Sequence, residues 1–365
     1  MRDLWMKTRW LVLSAAVVAV GAFVLARTEG PSIPSEPLAA APSGASIVAR
    51  IDVGAVTSSH LWNALLEEDP DERGVRRIER ACGYDPLEQV DEAIVFATGT
   101  TERPFEHVGF LARGEMARGE ANRRRLVECV SAVVGDRGGA LRRVEVEGEP
   151  AVASASGGSH AAFLGADGVV GGDREVVASA IRVARGDAPS AANDATLRRL
   201  WERVSADRDV VVVARLPDRW LPALRRMSRS LAEAPSALGD VRAIGVGVRV
   251  RRGLAIAVAA ETASEAGARR LEEAVTAQSD ALLDEPLLRL SALGRALRRL
   301  EVESRGRELL VTLSLTNAQI DELLALWREL RSAPAPAAEA AARTPEAGGA
   351  PGPTGAGDGG AATAE

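Results

Sequence analysis

The stretch "CGYDPLEQVDEAIVF", residues 82–96, carries the local signals that decide the fold. Gly83 suits the left-handed position that follows the last turn of a helix. Asp85 is typical of an N-cap, Pro86 of the first helical position, and Glu88 lies three residues after the cap, so we predict a capping box on a short helical turn. The segment "AIVF" then predicts a strand. We therefore interpret these acids as signals for helix and strand boundaries, not as an active site.

The composition excludes several classes of function. The chain has 365 residues and a net charge of −6, which argues against a nucleic-acid partner because phosphate binding needs a basic surface. Lys7 is the only lysine, so the remaining chain lacks the motifs of P-loop, pyridoxal-phosphate and lysine-base chemistry. Three histidines (His60, His107 and His160) and two cysteines form no regular metal-ligand or nucleophile motif. We predict no catalytic residue, no metal and no cofactor.

The N-terminus predicts a membrane segment. Residues 10–26 form an uncharged run at the short end of what spans a bilayer, and three cations precede it within residues 1–9. This asymmetry predicts a single-pass anchor in a bacterial inner membrane, with residues 1–9 in the cytoplasm and the bulk of the chain in the periplasm. Val24 and Ala26 also suit a signal peptidase, so a cleaved signal sequence is the alternative.

Composition and periodicity divide the exported part further. Residues 27–44 are rich in Pro, Ser and Ala, which predicts a flexible stalk before the folded part. Residues 332–365 lack apolar periodicity, which predicts a disordered tail after it. Between them, β-branched runs alternate with amphipathic helices, which predicts the α+β class. The predicted segments are the cytoplasmic N-terminus (1–9), the transmembrane anchor or signal sequence (10–26), the stalk (27–44), a first α+β lobe (45–190), a connecting helix (191–208), a second α+β lobe (209–331) and the tail (332–365).

The two predicted lobes resemble each other in sequence, which indicates a duplication. Each half has the order β-α-β-β-α-β of a ferredoxin-like unit, with extra strands, and both helices of such a unit cover one sheet face. The matching segments, in the same order in both halves, are 46–53 with 210–217, 120–130 with 265–275, and 140–152 with 296–311.

The two cysteines are expected to lie close together. Cys82 ends one predicted helix of the first lobe, and Cys129 belongs to the apolar stripe of the next, so both should face the sheet. Export would place them in an oxidising compartment. We predict a disulfide between Cys82 and Cys129, with two buried thiols as the alternative.

Other polar motifs are explained by local structure. Ser159 and His160 are neighbours in a predicted strand and point to opposite faces, which does not suit a nucleophile and its base. A hairpin is predicted around Asp167-Gly168, and Asp173 is predicted to N-cap a helix, where it would repel a phosphate. Recurrent Arg-Arg pairs are interpreted as solvated faces, with an anionic envelope partner as the alternative.

These turns and caps also carry a resemblance. The segments "GYDPLEQVDEAIVF", "VEGEPAV", "GVVGGDREVVASAI" and "GDAPSAANDATLRRLW" resemble a bacterial family of membrane-anchored extracytoplasmic proteins of unknown function. The resemblance implies an N-terminal anchor before a duplicated α+β region, here residues 46–330. It implies no catalytic residues. The second half lacks the "GYDP" turn and the "VVGGD" helix start.

Together these patterns predict a non-catalytic envelope protein that acts as a binding or scaffolding module. Its expected partners are the inner membrane, through residues 10–26, and an envelope protein, lipid or wall polymer. The first alternative is a carrier that binds a lipid or small apolar ligand between the two lobes, because ligands often bind between domains. A hydrolase is the second alternative.

Overall fold

In the computed structural model of the chain, the described residues include twelve strands that form one antiparallel sheet. Their spatial order is β11-β12-β10-β9-β8-β1-β2-β3-β7-β6-β5-β4. The strands are β1 (Ala45–Asp52), β2 (Glu92–Thr98), β3 (His107–Arg113), β4 (Leu141–Val146), β5 (Glu149–Ser154), β6 (His160–Leu164), β7 (Gly168–Gly172), β8 (Val210–Arg215), β9 (Val241–Arg249), β10 (Leu254–Thr262), β11 (Glu301–Arg305) and β12 (Glu308–Leu315).

Helices connect and cover these strands. The α-helices are α1 (Pro37–Ala40), α2 (Val53–Thr57), α3 (His60–Glu67), α4 (Val75–Cys82), α5 (Gly119–Gly135), α6 (Arg174–Arg185), α7 (Ala195–Val204), α8 (Glu265–Asp284), α9 (Pro286–Leu290), α10 (Ala292–Leu297) and α11 (Asn317–Ser332). Short 3-10 turns occupy Pro86–Gln89, Glu115–Ala117 and Ala191–Asn193.

The structure describes residues 31–67, 75–99, 106–136, 138–216 and 239–332. Within these ranges, no helix is both long and apolar enough to cross a membrane. The predicted cytoplasmic N-terminus (1–9), the predicted anchor (10–26) and the predicted tail beyond Ser332 lie outside the described residues. Described residues up to Leu323 form one compact unit, and a second unit begins at Leu324, within α11.

The α+β class is confirmed, but the ferredoxin-like arrangement of the strands is wrong. In a ferredoxin-like unit the first and second strands are parallel, and the third lies between them. Here β1 pairs directly with β2 in antiparallel orientation, and β2 pairs with β3. Because β1 and β2 are hydrogen-bonded directly to each other, no strand lies between them. Their antiparallel orientation also needs no crossover connection.

One sheet also continues through both predicted lobes. β1 pairs with β8, so Ala49 lies opposite Val212 at the centre of the sheet. Independent folding of residues 45–190 and 209–331 as separate domains stays a prediction.

The two halves place corresponding elements in mirrored positions around the β1–β8 pair. From this centre outward, the first half contributes β1, β2 and β3, and the second contributes β8, β9 and β10. The three sequence matches lie in β1 and β8, in α5 and α8, and in the hairpins β4–β5 and β11–β12. The halves differ by β6 and β7, which lie between β3 and β5.

Helices cover both faces of the sheet. Face A, defined by Val48, Leu111 and Val170, carries the largest core cluster. This cluster includes Leu38 of α1, Ile181 of α6 and Leu200 of α7. Face B, defined by Phe110, Ala161 and Val169, packs against Leu126 and Cys129 of α5. Farther along face B, Ala260 and Leu309 pack against Leu271 of α8.

The centre of face B is aliphatic and only half-buried. The register aligns two rows across strands β1, β8, β9, β10 and β12. These rows are Ile51, Val210, Val248, Ile256 and Leu313, and Ala49, Val212, Val246, Val258 and Val311. On face A of the same strands, by contrast, Val48, Val211 and Ala257 are buried.

Two local predictions need correction. The predicted stalk is structured from residue 31, since Leu38 is fully buried and Pro42 bridges to Ser190. The apolar side chain of Leu38 explains this difference, because its burial stabilises the segment against the core. The β6–β7 hairpin turns through residues 165–167, and Gly168 already lies in β7, opposite Leu164. Gly165, at φ 59°, provides the left-handed conformation of this turn.

Candidate binding site at the disulfide-linked helices

A disulfide joins α4 to α5. Cys82 and Cys129 have their Cα atoms 4.3 Å apart and are separated by 47 residues in the chain. Cys129 is buried in the cluster that α5 forms with face B, and Cys82 packs against the same cluster. The structure therefore has the predicted bond and not the alternative of two thiols. Closing a loop of this length removes unfolded-state entropy equivalent to about 4 kcal/mol.

The turn after α4 follows the sequence signals with one exception. Gly83 has φ 71°, and its N–H donates to the Glu79 carbonyl over 2.8 Å. Asp85 Oδ1 accepts from the Leu87 N–H at 2.8 Å, and Pro86 opens a 3-10 turn. Glu88 is exposed, and none of the described hydrogen bonds joins its carboxylate to the backbone N–H of Asp85, the N-cap residue. The reciprocal bond of the predicted capping box is thus absent, because a four-residue 3-10 turn leaves Glu88 facing solvent.

Tyr84 is the most unusual side chain of this turn. The guanidinium carbon of Arg125 lies 3.8 Å from its ring centroid, which is a cation–π contact. Its ring packs beside the cluster under α5, while its hydroxyl is buried and has no hydrogen-bond partner among the described residues. Burial raises the pKa of Tyr84, and the nearby charge of Arg125 lowers that pKa in part. The phenol therefore stays protonated and holds an unused donor.

A groove of about 300 Å³ opens beside this ring. Its lining residues are Arg76, Glu79, Arg80, Gly83 and Tyr84. Three arginines and one glutamate give α4 a positive charge, and Arg76 and Arg80 are exposed at the rim. Guanidinium groups bind carboxylates and phosphates through charge-assisted hydrogen bonds. The groove therefore suits an anionic group.

The remaining acids of the opening stretch serve the sheet. Glu92 bridges Arg50 and Arg113, at 2.7 and 2.9 Å respectively. Arg113 also donates to the Ile33 carbonyl at 3.2 Å, which ties the N-terminal segment to β3. Asp91 lies 3.6 Å from Arg118. These acids therefore pair with arginines, and they converge on no shared ligand position.

A second polar cluster lies at the start of α6. Asp173 caps this helix by accepting from the Val176 N–H at 3.0 Å, as predicted from the sequence. Its other oxygen lies 2.8 Å from His107 Nδ1, and Glu175 lies 3.4 Å from the second ring nitrogen. The hydrogen bond to Asp173 raises the pKa of His107. Sequence reasoning missed this pair because only the β3–β7 pairing brings His107 beside Asp173.

His160 occupies the opposite kind of environment. It is 6% exposed, and its Nδ1 has no partner among the described residues. Burial is the main cause that lowers the pKa of His160, with Arg174 and Arg142 adding to it. Ser159 directs its N–H to Ser154 Oγ at 3.3 Å. Across the described ranges, no hydrogen bond joins a serine side chain to a histidine, and no group of three or more His, Cys, Asp or Glu could hold a metal.

Comparisons with known proteins identify no family. No protein-family model matches the sequence, and the curated proteins contain no match. Among solved structures, crystal form III of TP0453 aligns with a TM-score of 0.47 and 10% identity, covering 79% of this chain and 96% of that chain. Crystal forms I and IV of TP0453 each align with a TM-score of 0.44, at 9% and 11% identity over 79% of this chain and 95% and 96% of theirs. Similarity at this level supports no inference about ligand or activity.

Proposed function

We propose that this protein is a non-catalytic binding module of the bacterial envelope whose Tyr84 groove holds an anionic group of its partner. The observation that carries the proposal is the buried, unpartnered hydroxyl of Tyr84 beside a rim of arginines. An unpaired buried donor costs about 1–3 kcal/mol, and a bound acceptor would relieve that cost. A carboxylate or phosphate would pair with the positive rim, and a turn of the Tyr84 ring that exposes the hydroxyl would let the same group accept from the donor.

The location outside the cytoplasm is part of the proposal. Disulfides persist in oxidising compartments, so the bond between Cys82 and Cys129 supports export. Residues 10–26 would supply the inner-membrane anchor, and the residues beyond Ser332 a disordered tail. The two halves of the sheet would then derive from a duplicated ancestral unit, as their matched segments suggest. Because no serine hydroxyl or free thiol among the described residues hydrogen-bonds to a histidine, the site offers little support for a hydrolase.

The test is photo-crosslinking in cells that produce the full chain. A photoreactive residue at Arg76 should capture a molecule that bears phosphate or carboxylate. The matched control is Arg269, which is also exposed on a helix but pairs with Glu265 away from the groove. Tyr84→Phe keeps the ring and removes the donor, so it should reduce the captured amount. Equal capture at Arg76 and Arg269 would contradict the proposed site.

The membrane topology is tested separately. Protease added to spheroplasts should digest the folded part, because that part would lie outside the inner membrane. Full protection from the protease would refute export, and with it the envelope location.

A second candidate function is a carrier for one acyl-bearing lipid. The observation that favours it is the pair of half-buried aliphatic rows at the centre of face B. Five strands at a spacing of about 4.8 Å make this surface roughly 19 Å wide. Full-length protein extracted from membranes should then retain one lipid. Val246→Thr, which keeps the side-chain shape and replaces a methyl by a hydroxyl, should lower that retention. Ser314→Thr, at an exposed residue on the opposite face of β12, should not.

A further inference from the structure

An N-terminal strap, residues 31–44, crosses face A of the sheet before β1 begins. Leu38 is fully buried in the face A cluster, and Ile33 packs against the same cluster. Near the end of the strap, the Ser43 N–H donates to the Pro189 carbonyl at 3.1 Å. Contacts at its beginning, middle and end therefore fix the strap to the folded unit.

The first residues of the strap lie at the β6–β7 turn. A Cβ atom added to Gly165 in this turn would lie 3.1 Å from Ser32 Cα and 3.8 Å from the carbonyl oxygen of Pro31. Arg113, at the end of β3, donates to the Ile33 carbonyl at 3.2 Å. The chain that precedes the strap therefore joins the folded unit at Pro31, beside the β6–β7 turn.

The strap connects opposite ends of the sheet. The strand register places the β6–β7 turn at one end, together with Arg113 of β3 and Glu92 of β2. Glu92 lies opposite Asp52, the last residue of β1, so Ala45, its first residue, lies at the other end. The eight residues of β1 span about 23 Å. The strap thus moves the attachment of the N-terminal chain from the Ala45 end to the β6–β7 end.

We propose that the strap holds the β6–β7 end of the sheet against the outer surface of the inner membrane. This inference rests on the proposed function, because it needs the anchor at residues 10–26. Residues 27–30 separate this anchor from the strap, and the five Cα–Cα steps from Ala26 to Pro31 span at most about 18 Å. A flexible stalk up to residue 44 would instead span roughly 65 Å and attach at the Ala45 end.

The short tether, and not charge, would keep this end near the bilayer. Beside the β6–β7 turn, Arg118 lies 3.6 Å from Asp91 and 3.8 Å from Asp167, and it also pairs with Glu115. Arg123 donates to a carbonyl of the turn at 2.6 Å. These two arginines accompany three acids, so their summed charge does not attract anionic headgroups. A longer tether should therefore let this end move away from the membrane.

The test is photo-crosslinking to phospholipid in cells that produce the full chain. A photoreactive residue replaces either Ala166, exposed in the β6–β7 turn, or Ala155, exposed in the turn at the other end of β6. The probe at Ala166 should capture about five-fold more phospholipid, because the tether limits its distance from the bilayer. Equal capture at the two positions, or more at Ala155, would overturn the proposed orientation.

A linker insertion tests the strap itself. About twenty Gly and Ser residues inserted after Gly30 lengthen the tether, so capture at Ala166 should fall to the level at Ala155. The same linker inserted after Gly44 is the matched control. Gly44 is exposed with no atom within 4 Å of its Cβ position, so the strap should stay on face A and the preference for Ala166 should persist. Loss of the preference in both insertion variants, or in neither, would contradict the role of the strap.

Alkaline extraction of the membranes separates failure of the orientation from failure of the anchor. A chain that is released into the soluble fraction lacks the anchor, which would refute the anchor and the orientation together. A chain that is retained but captures phospholipid equally at both positions would refute the orientation alone. Capture at Arg76 does not depend on which end of the sheet faces the bilayer, so it tests the Tyr84 groove separately.

Discussion

His107 and His160 respond to pH in opposite ways because their surroundings differ. The pKa of His107 is raised by its hydrogen bond to Asp173, so protonation of its ring favours the folded state. The pKa of His160 is lowered by burial, so protonation of its ring favours the unfolded state. Below pH 6.5, the ordinary pKa of histidine, the two effects oppose each other.

Replacing His107 should therefore affect stability most at low pH. The stabilisation that His107 provides is fully present below pH 6.5 and is lost as the pH rises through its raised folded-state pKa. We expect His107→Gln to lower the free energy of unfolding at pH 5.5 and to have little effect at pH 8.5. Urea unfolding at both pH values measures this difference. An equal loss at both values would show that the ring acts through packing alone.

Single residues also set how closely helices approach the sheet. Gly247 of β9 lies under the last turn of α7, and a Cβ atom added there would lie 2.0 Å from the carbonyl oxygen of Val204. Gly44, just before β1, has no atom within 4 Å of the same position and has no positive φ. The two glycines therefore form a matched pair for testing close packing.

At the scale of elements, Gly247→Ala should displace α7 from face A. We expect a loss of about 1–3 kcal/mol in the free energy of unfolding, because overpacking forces the backbone to shift. Gly44→Ala should change stability by less than about 0.5 kcal/mol. Denaturant unfolding of the two variants measures both values. Similar stabilities for the two variants would show that α7 moves without cost.

The disulfide is the main covalent support of α4. Replacing both Cys82 and Cys129 by serine should lower the free energy of unfolding by about 2–4 kcal/mol, because the unfolded chain regains the entropy of the closed loop. Removing the bond should also accelerate amide hydrogen exchange in α4 relative to wild type. Exchange in α6, which has no disulfide, should stay unchanged. Wild-type protein under reductant should match the double variant. Unchanged stability and exchange would contradict the role assigned to the bond.

Most elements could be predicted from sequence because their signals are local. The apolar stripe of α5, with Leu126, Cys129 and Val130, indicated a helix, and Asp85 and Asp173 marked helix starts. The order of the strands could not be predicted in this way. Val210 to Ala214 make β8 apolar on both faces, so alternation does not select its neighbours. The groove around Tyr84 was missed because Arg125 reaches the ring only after α4 and α5 are packed together.

At the scale of the whole molecule, we expect the compact unit that ends at Leu323 to unfold in one cooperative step. The reason is that one sheet runs through both halves of this unit. Ile94→Ala, in the core of the first half, should lower the free energy of unfolding by about 2–5 kcal/mol. It should reduce amide protection in β9 and β10 as strongly as in β2. Leu290→Ala, at a side chain that is 76% exposed, serves as the control. Hydrogen exchange with mass spectrometry measures both, and two separate transitions would favour independently folding lobes.

The pairing of β1 with β8 has a consequence for the time order of folding. A chain that emerges N-terminus first presents β1 early, and β2 soon covers one of its edges. The other edge waits for β8, which lies in the far half of the sequence. Contacts between distant segments form slowly, and an aliphatic edge left open meanwhile invites wrong partners. One edge at the centre of the finished sheet therefore stays open until β8 has been synthesised, and that interval exposes the first half to misassembly.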